Sequence, residues 1–519
     1  MASYPSIFND VIGPVMRGPS SSHCAAALRI GRICRDLMDN EIDEVSIGFD
    51  PNGSLATTHE SQGSDMGLFG GLLGWEADDV RLPDFKDAIK QAGISINIEI
   101  RDIGALHPNT YEIVLKNKNE TRSVTAISTG GGMLEIIEID GADVSIEGDF
   151  FETLIYTESP DDVVKLIDAS MEPDKIILHE ADISIVEIKS RSFPNDEFIN
   201  ELLSRKEIHF IKKISPVLPI LSRKDLKVPF ITCKEMLEYN EGKDLPLWKL
   251  ALNYESARGN ISGEEVFSKM KAIVKIMNNA IELGLKGTEY EDRILGPQSV
   301  SFKKMEERNA LINGGVMNKM IMYVSAVLEV KSSMGVIVAA PTAGSCGTLP
   351  GAVIAMAQEL KLSDDETAKA LLSSGMVGVF IAAHATFAAE VGGCMAECGS
   401  ASGMAAAAIV ELANGTLEQS LSAASVALQN SFGMVCDPVA NRVEAPCLGK
   451  NVMAATNALS CANMALANYN HLIPLDEVIL AMDKIGKSIP HELRCTGLGG
   501  LSVTRTSKEI ERDLRERKS

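Results

Sequence analysis

Residues 390–415 read EVGGCMAECGSASGMAAAAIVELANG, and this stretch decides what the last third of the chain can be. Alanine, glycine and serine dominate it, and its second half has the pattern of a helix that ends at Asn414-Gly415. Small side chains let helices pack closely, and strand patterns are few from about residue 291 to 510. We therefore predict a buried, mostly α-helical domain over residues 291–510.

The segments before this domain have different patterns. Residues 221–290 are polar and indicate a helical connector. Residues 150–220 predict the order βαββαβ, a small ferredoxin-like unit that resembles an ACT domain, a small-molecule regulatory module. The loop after its first strand reads TESPDD and lacks the glycine that often holds an amino acid in such modules. A ligand of this unit is therefore not predicted.

The N-terminal segment, residues 1–145, mixes helical and strand patterns. SHCAAALRIGRICRDLMD has apolar residues at helical spacing, whereas EVSIGFD, SINIEIRDI, YEIVLKN and VTAIST alternate as strands do. Gly-rich turns separate these stretches. The segment is predicted to be an α+β domain, which makes the whole chain an α+β multidomain protein.

Composition excludes several classes of partner. The 519 residues carry a formal net charge of −22, and such an acidic surface repels nucleic acid and anionic membranes. The start, MASYPSIFND, lacks the layout of a signal peptide, so a cytoplasmic location is expected. The longest uncharged run, residues 370–389, is interrupted by polar residues and His384. It favours a buried helix pair over a membrane span.

Ten cysteines are present, and seven of them follow residue 340. Without a secretion signal a disulfide framework is not expected, which leaves inert core thiols or a metal or cluster site. No CxxC pair occurs, so a zinc ribbon is disfavoured. Cys394 and Cys398 are one helical turn apart, and Cys436 and Cys447 bound a loop containing Pro438 and Pro446. Thiolates at such spacing are compatible with an Fe–S cluster.

Several segments together resemble the bacterial iron–sulfur L-serine dehydratases, with alpha and beta parts fused in one chain. They are PSSSHCAAALRIGR (19–32), GSLATTHESQGSD (53–65), LHPNTYEIVLKN (106–117), STGGGMLEI (128–136), APTAGSCGTLPG (340–351), EVGGCMAECGSASGMAAAA (390–408), CDPVANRVEAPC (436–447) and LRCTGLGGLS (493–502). The resemblance spans nearly the whole chain in family order. It implies that Cys394, Cys436 and Cys447 hold a [4Fe–4S] cluster.

The resemblance also implies a chemistry. Three thiolates leave one iron open to bind the substrate hydroxyl and carboxylate as a Lewis acid. A base then removes the α-proton, and L-serine yields pyruvate and ammonia. Two alternatives stay open, namely the same chemistry on threonine or cysteine, and a non-catalytic amino-acid sensor. A homodimer is expected, with a small amino acid as the only other partner.

The motif Ser20-Ser21-Ser22-His23 precedes a helix. Its hydroxyls and the helix amides could bind a substrate carboxylate, and an ordinary N-cap is the alternative. The resemblance favours the carboxylate site. It also assigns Ser64 and Asp65 to substrate binding.

Gln62 stands where the family usually has histidine. Glutamine does not titrate and so cannot be a general base. His59, three residues earlier, and His107, in His-Pro-Asn, are the remaining candidates for the base, with Asn109 assigned to substrate binding. We favour His107; a surface role for His59 is equally compatible with the sequence.

The remaining site candidates lie in Gly-rich turns. Thr342 and Gly344 precede a predicted helix whose amides could hold substrate or cluster sulfide. Arg494 is a candidate for pairing with a carboxylate, with a surface ion pair as the alternative. Cys346 and Cys398 are expected near the cluster but not as ligands. Residues 130–132, three glycines, predict a tight turn at a domain interface.

Overall fold

A sheet-rich N-terminal part and a mostly helical C-terminal part make up the chain, so the predicted α+β class is confirmed. The computed structural model describes residues 4–218 and 227–518. Small pieces of the predicted N-terminal domain, small unit and connector (residues 1–3 and 219–226) lie outside the described residues. The domain boundaries themselves stay a prediction.

The N-terminal part is built around a six-stranded sheet in the order β3-β2-β4-β5-β6-β7. Strands β2 and β3 are parallel, and the other neighbours are antiparallel. Its elements are β1 (Val15–Met16), a π-helical turn (Ser21–Ala25), α1 (Ala26–Leu37), β2 (Glu44–Phe49), α2 (Leu55–Thr58), α3 (Ser64–Leu72), α4 (Phe85–Gln91), β3 (Ser95–Ile100), β4 (Thr110–Lys116), β5 (Thr121–Gly130), β6 (Met133–Ile139) and β7 (Ala142–Ile146).

Close contact between α1 and α3 depends on glycine. A Cβ added at Gly67 or Gly71 would lie 2.0 Å from the carbonyl oxygens of Cys24 and Leu28, respectively. Only residues without a side chain let the two backbones approach this far. The contact places the start of α3 beside the turn that carries Ser20–His23.

The next segment forms a four-stranded antiparallel sheet in the order β11-β8-β10-β9. One face packs on its own helices through a core that includes Val163, Ile188 and Leu202. The other face joins the N-terminal core through Leu154 and Ile185. Its elements are β8 (Phe151–Thr157), α5 (Pro160–Ser170), β9 (Lys175–His179), β10 (Ser184–Ser190), α6 (Asp196–Leu203) and β11 (Ile208–Ile214).

The C-terminal part is a bundle whose central helices are rich in alanine and mostly buried. Its elements are α7 (Cys233–Asn240), α8 (Leu247–Gly259), α9 (Gly263–Lys286), α10 (Gln298–Glu307), α11 (Val316–Ser332), β12 (Ile337–Val338), α12 (Thr348–Glu359), α13 (Asp364–His384), α14 (Ala389–Gly392), α15 (Ser400–Leu412), α16 (Leu417–Gln429), α17 (Cys447–Leu466), α18 (Leu475–Ser488) and α19 (Arg505–Lys518).

The uncharged run predicted as a helix pair belongs mainly to one helix, α13, followed by a loop and the short α14. The helix-pair prediction is therefore wrong, because no turn interrupts the run before residue 385. By length and composition α13 could cross a membrane, but 78% of its most apolar window is buried inside the protein. Burial of this extent is typical of a core helix.

A strand pair and a close backbone approach are among the contacts that join the sheet-rich part to the bundle. Strand β1 pairs with β12, so that Val15 lies opposite Val338. A Cβ added at Gly130 would lie 2.8 Å from the Cβ of Ala388, which agrees with the tight turn predicted at this interface. These contacts bring the Ser20–His23 turn and the end of β5 against the loop that leads to Cys394.

Candidate active site

Buried thiols from separate segments meet at one end of the bundle. Cys394, Cys436 and Cys495 pack together beside Ala389. Hydrogen bonding to Cys394 and Cys495, together with burial, raises the pKa of Cys436. Burial and the charge of Cys394 raise the pKa of Cys447. All four thiols are at least 93% buried and none forms a disulfide.

Backbone hydrogen bonds fix two of these cysteines to each other. The amide of Cys436 donates to the carbonyl of Leu493 (2.9 Å), and the amide of Cys495 donates to the carbonyl of Cys436 (3.1 Å). Cys495 takes a positive φ of 61°, which is unusual for a residue with a side chain. The sequence interpretation had overlooked Cys495, although it lies in the quoted LRCTGLGGLS motif.

Asn451 holds the helical side of the thiol group. Its Nδ2 donates to the carbonyls of Gly344 (2.8 Å) and Cys447 (2.9 Å) and lies 3.6 Å from the sulfur of Cys398. Thr342 donates to Glu397 (2.7 Å), a partly buried carboxyl whose pKa is raised to about 7 by desolvation and by the charge of Glu390. The turn carrying Thr342 and Gly344 therefore lies beside the thiols.

Lys450 supplies a positive charge beside the thiols. Its Nζ lies 3.8 Å from the sulfur of Cys394 and donates to Asp437 (2.7 Å) and to the carbonyl of Val435 (2.6 Å). Burial acts to lower its pKa, but the charge of Cys394 and the bond to Asp437 together raise it. The residue therefore stays charged next to the thiols.

The serine-rich turn faces the same space. Ser22 donates to Oε1 of Glu390 (3.0 Å), and Ser21 accepts from the amide of Ala343 (3.1 Å). Ser20 makes no capping bond from its side chain and instead contacts Nδ1 of His23 (3.0 Å). The N-cap alternative is therefore not what the structure shows.

His23 is fully buried and held in one tautomer. The hydroxyl of Thr58 donates to the carbonyl of Ser54 (2.6 Å), so it accepts from Nε2–H of His23 (2.9 Å). Burial lowers the pKa of His23. A neutral ring with its proton on Nε2 leaves only a lone pair on Nδ1, which lies 3.4 Å from Glu390.

His59 and Asp65 form a pair at the edge of the site. Nδ1 of His59 lies 2.8 Å from the Asp65 carboxylate, which leaves Nε2 to exchange a proton. His59 also lines a cavity of about 210 Å³ together with Asn441 and Arg442. Gln62 is buried, and its Nε2 lies 3.6 Å from the sulfur of Cys495.

His107 lies near Glu390, although a loop carries it. Its Nδ1 accepts from the backbone amide of Asn109 (3.2 Å), so in the neutral ring Nε2 carries the proton. Burial lowers its pKa, and the charge of Glu390 opposes this. The Asn109 side chain is buried, with both polar atoms unpaired within the described residues.

Two residues that were predicted to bind substrate make other contacts in the structure. Ser64 accepts from the hydroxyl of Tyr111 (3.1 Å) inside the N-terminal core. Arg494 donates to the carbonyls of Lys487 (2.6 Å) and Ile489 (2.5 Å) at the end of α18. It therefore stabilises a helix end in this structure rather than holding a carboxylate.

Glu390 is the main site residue that the sequence interpretation missed. One available indication was its position, since it is the first charge after the long uncharged run and lies four residues before Cys394.

Within residues 4–218 and 227–518, no three His, Cys, Asp or Glu side chains converge closely enough for a single metal ion. A multi-iron cluster is larger than one ion, so its cysteine ligands stand further apart.

Family models match both parts of the chain. Residues 11–137 match the model described as serine dehydratase beta chain, and residues 242–502 match serine dehydratase alpha chain. The small sheet formed by β8–β11 lies between the two matched ranges.

Two relatives each match one of these parts, and a third matches nearly the whole chain. The probable L-serine dehydratase alpha chain of Bacillus subtilis is 39% identical over 285 residues, covering 55% of this chain and 95% of the relative. The probable beta chain from the same organism is 39% identical over 145 residues, covering 28% of this chain and 64% of the relative. The L-serine dehydratase of Helicobacter pylori is 25% identical over 501 residues, covering 94% of this chain and 96% of the relative.

The buried neutral His23 predicts a dependence of stability on pH. Below about pH 6.5 the unfolded chain binds a proton that the folded chain excludes, so stability falls as the pH drops from 6.5 toward the folded-state pKa. The contribution is at most about 1.4 kcal/mol per pH unit. His23→Gln should therefore flatten the fall in the thermal unfolding midpoint between pH 7.5 and 5.5. The exposed His209→Gln is the control, and an unchanged slope in His23→Gln would contradict the assignment.

Proposed function

Because this chain belongs to the serine dehydratase family, with the beta and alpha parts joined in one polypeptide, we propose that it removes water from L-serine to give pyruvate and ammonia. The observation that carries the proposal is the meeting of buried thiols with the Ser20–His23 turn and two further histidines. The thiols come from the alpha part, and the serine turn and histidines from the beta part. Neither part alone contains the site.

The donor set fits a [4Fe–4S] cluster held by Cys394, Cys436 and Cys447. Thiolate sulfur is the preferred ligand of such clusters, and these thiols are buried, free of disulfides and close enough to raise one another's pKa. When bound, the cluster supplies a Lewis acid that assists departure of the substrate hydroxyl. Cys495 is a further thiol packed against Cys394 and Cys436, but the amide of Gln62 lies against its sulfur. We therefore propose three cysteine ligands and one open position.

The chain's own residues bind and orient the substrate. The hydroxyl of Ser21, which only accepts from the Ala343 amide, and the backbone amides of the turn offer donors to the substrate carboxylate, which restricts the amino acid to one orientation. Burial of this turn excludes bulk water from the site. The enamine that remains after loss of the α-proton and the hydroxyl hydrolyses without help from the protein.

We assign proton transfer to two histidines. Nδ1–H of His59 donates to Asp65, so its Nε2 is free to accept a proton. His107 carries its proton on Nε2 while Asn109 occupies Nδ1. His107 stays our first candidate for proton transfer, and the geometry adds His59 as a group able to accept the proton and pass it toward the adjoining cavity.

A second candidate function keeps the chemistry and changes the substrate to another β-substituted amino acid, such as threonine or cysteine. The contact of Gln62 with Cys495 favours it, since a buried amide and a thiol occupy the position expected for a histidine. Turnover of an amino-acid panel by anaerobically purified protein separates the two candidates. No turnover with iron bound would favour the sensor alternative.

Replacing any of Cys394, Cys436 or Cys447 with serine should remove most of the iron, because each supplies one of three ligands. Iron and acid-labile sulfide per chain, measured on anaerobically purified protein, check this without relying on turnover. Cys461→Ser is the matched control, since its buried thiol contacts Asn430 and Asn457 away from the site. Iron-free wild-type protein, or a full complement of iron in Cys394→Ser, would refute the cluster.

His107→Ala should lower kcat on L-serine by about 10²–10⁴-fold, the usual contribution of a general acid or base, while the iron content stays at the wild-type level. His59→Ala measured in parallel shows which histidine limits the rate. Near-full turnover in His107→Ala would overturn its assignment. His209→Gln serves as the exposed control in these assays too.

A further inference from the structure

Three side chains at the junction of the two parts have buried polar atoms without partners. They are Oε2 of Glu390, both side-chain atoms of Asn109 and the hydroxyl of Ser128, judged within the described residues. All three residues are at most 4% exposed. Native proteins pair nearly all buried polar atoms, so three unpaired residues in one region point to a ligand.

The strand register puts Asn109 and Ser128 side by side. Thr110 pairs with Ile127 between β4 and β5, which sets Asn109 opposite Ser128, and the amide of Ser128 donates to the carbonyl of Asn109 (3.0 Å). Residues directly opposite each other project their side chains from the same face of a sheet. Both side chains are fully buried, so this face is covered.

The same face meets the loop that leads into α14, the short helix that carries Glu390. Gly130, two residues after Ser128 on the buried face of β5, packs against Ala388 with room for no side chain. Ala388 is two residues before Glu390. The charge of Glu390 also acts on His107, two residues before Asn109. The segments that carry the three unpaired residues therefore meet at one junction.

Among the described residues, no Lys or Arg side chain is paired with the charge of Glu390. Its Oε1 accepts from the neutral hydroxyl of Ser22, and within residues 4–218 and 227–518 the only basic side chain at ion-pair distance is His23. His23 shows a lone pair, not a proton, toward Glu390, because its proton lies on Nε2 against Thr58. A buried carboxylate without a cation is costly, so a positively charged ligand would stabilise it.

We propose that Glu390, Asn109 and Ser128 form the site for the α-ammonium group of the substrate, and that Glu390 thereby selects α-amino acids over α-hydroxy acids. An ammonium group has three N–H donors, and the site offers three unpaired acceptors, Oε2 of Glu390, Oδ1 of Asn109 and Oγ of Ser128. Nδ2 of Asn109 is then left to donate to the substrate carboxylate. This inference rests on the proposed function for the identity of the ligand as an amino acid.

The test uses two unreactive ligands that differ only at the proposed contact. L-alanine carries the ammonium group and L-lactate carries a hydroxyl in its place. Calorimetric titration of the anaerobically purified full chain measures both, and KM and kcat for L-serine are measured on the same protein. Glu390→Gln should weaken L-alanine by about ten- to a hundred-fold, the loss of a charge-assisted bond, and leave L-lactate unchanged or tighter. KM for L-serine should rise more than kcat falls.

Two further variants test whether the loss of L-alanine binding has a purely structural cause. Asn109→Asp adds a negative charge to the same site and removes the Nδ2 donor to the carboxylate, so it should weaken L-lactate more than L-alanine, whose ammonium group gains a second carboxylate. Glu411→Gln changes a partly buried carboxylate that accepts from Ser373 in the bundle, and it should leave both ligands as in the wild type. Equal weakening of both ligands in Glu390→Gln, or wild-type binding of L-alanine, would overturn the proposal. Selective loss of L-alanine in a protein that never converts L-serine would uphold the ammonium site and refute the dehydratase function.

Discussion

Burial of several acidic groups in one dry space is the constraint on which this site depends. Three thiols proposed as cluster ligands, Glu390 and Glu397 lie together where the sheet-rich part meets the bundle. Lys450 supplies one positive charge from within the chain, and the buried Lys331 also acts on Glu397 and Cys447. Buried charges are costly unless they are paired, so further positive charge on the thiols and on Glu390 would stabilise the site. Iron on the thiols and an ammonium group on Glu390 would each supply it.

This constraint explains why the two parts of the chain are joined so closely. The pairing of β1 with β12 and the contact of Gly130 with Ala388 leave little room between the parts. The Ser20–His23 turn is held on one side by the glycines of α3 and on the other by the amide of Ala343. A site assembled from both parts is rigid when each element that carries it is held by two contacts. Such preorganisation favours catalysis over mere binding.

The sequence predicted the α+β class, and it located most of the site segments, because motifs such as the one around Cys394 combine unusual residues at fixed spacing. Contacts between distant segments were not predictable. Glu390 gave no pattern of its own, and Cys495 is 59 residues from its partner Cys436, so only the folded backbone shows that they meet. Arg494 was expected to face a carboxylate, but it stabilises the end of α18, since no sequence pattern tells a helix-capping arginine from a substrate ligand.

The central claim is that three cysteines hold a four-iron cluster with one position left for substrate. Mössbauer spectroscopy of anaerobically purified protein enriched in ⁵⁷Fe, recorded with and without L-serine, tests it most directly. The account predicts that about one iron in four changes its spectrum when L-serine is added, because only one lacks a cysteine ligand. Iron-free protein, or four irons whose spectrum is the same with saturating L-serine, would contradict it.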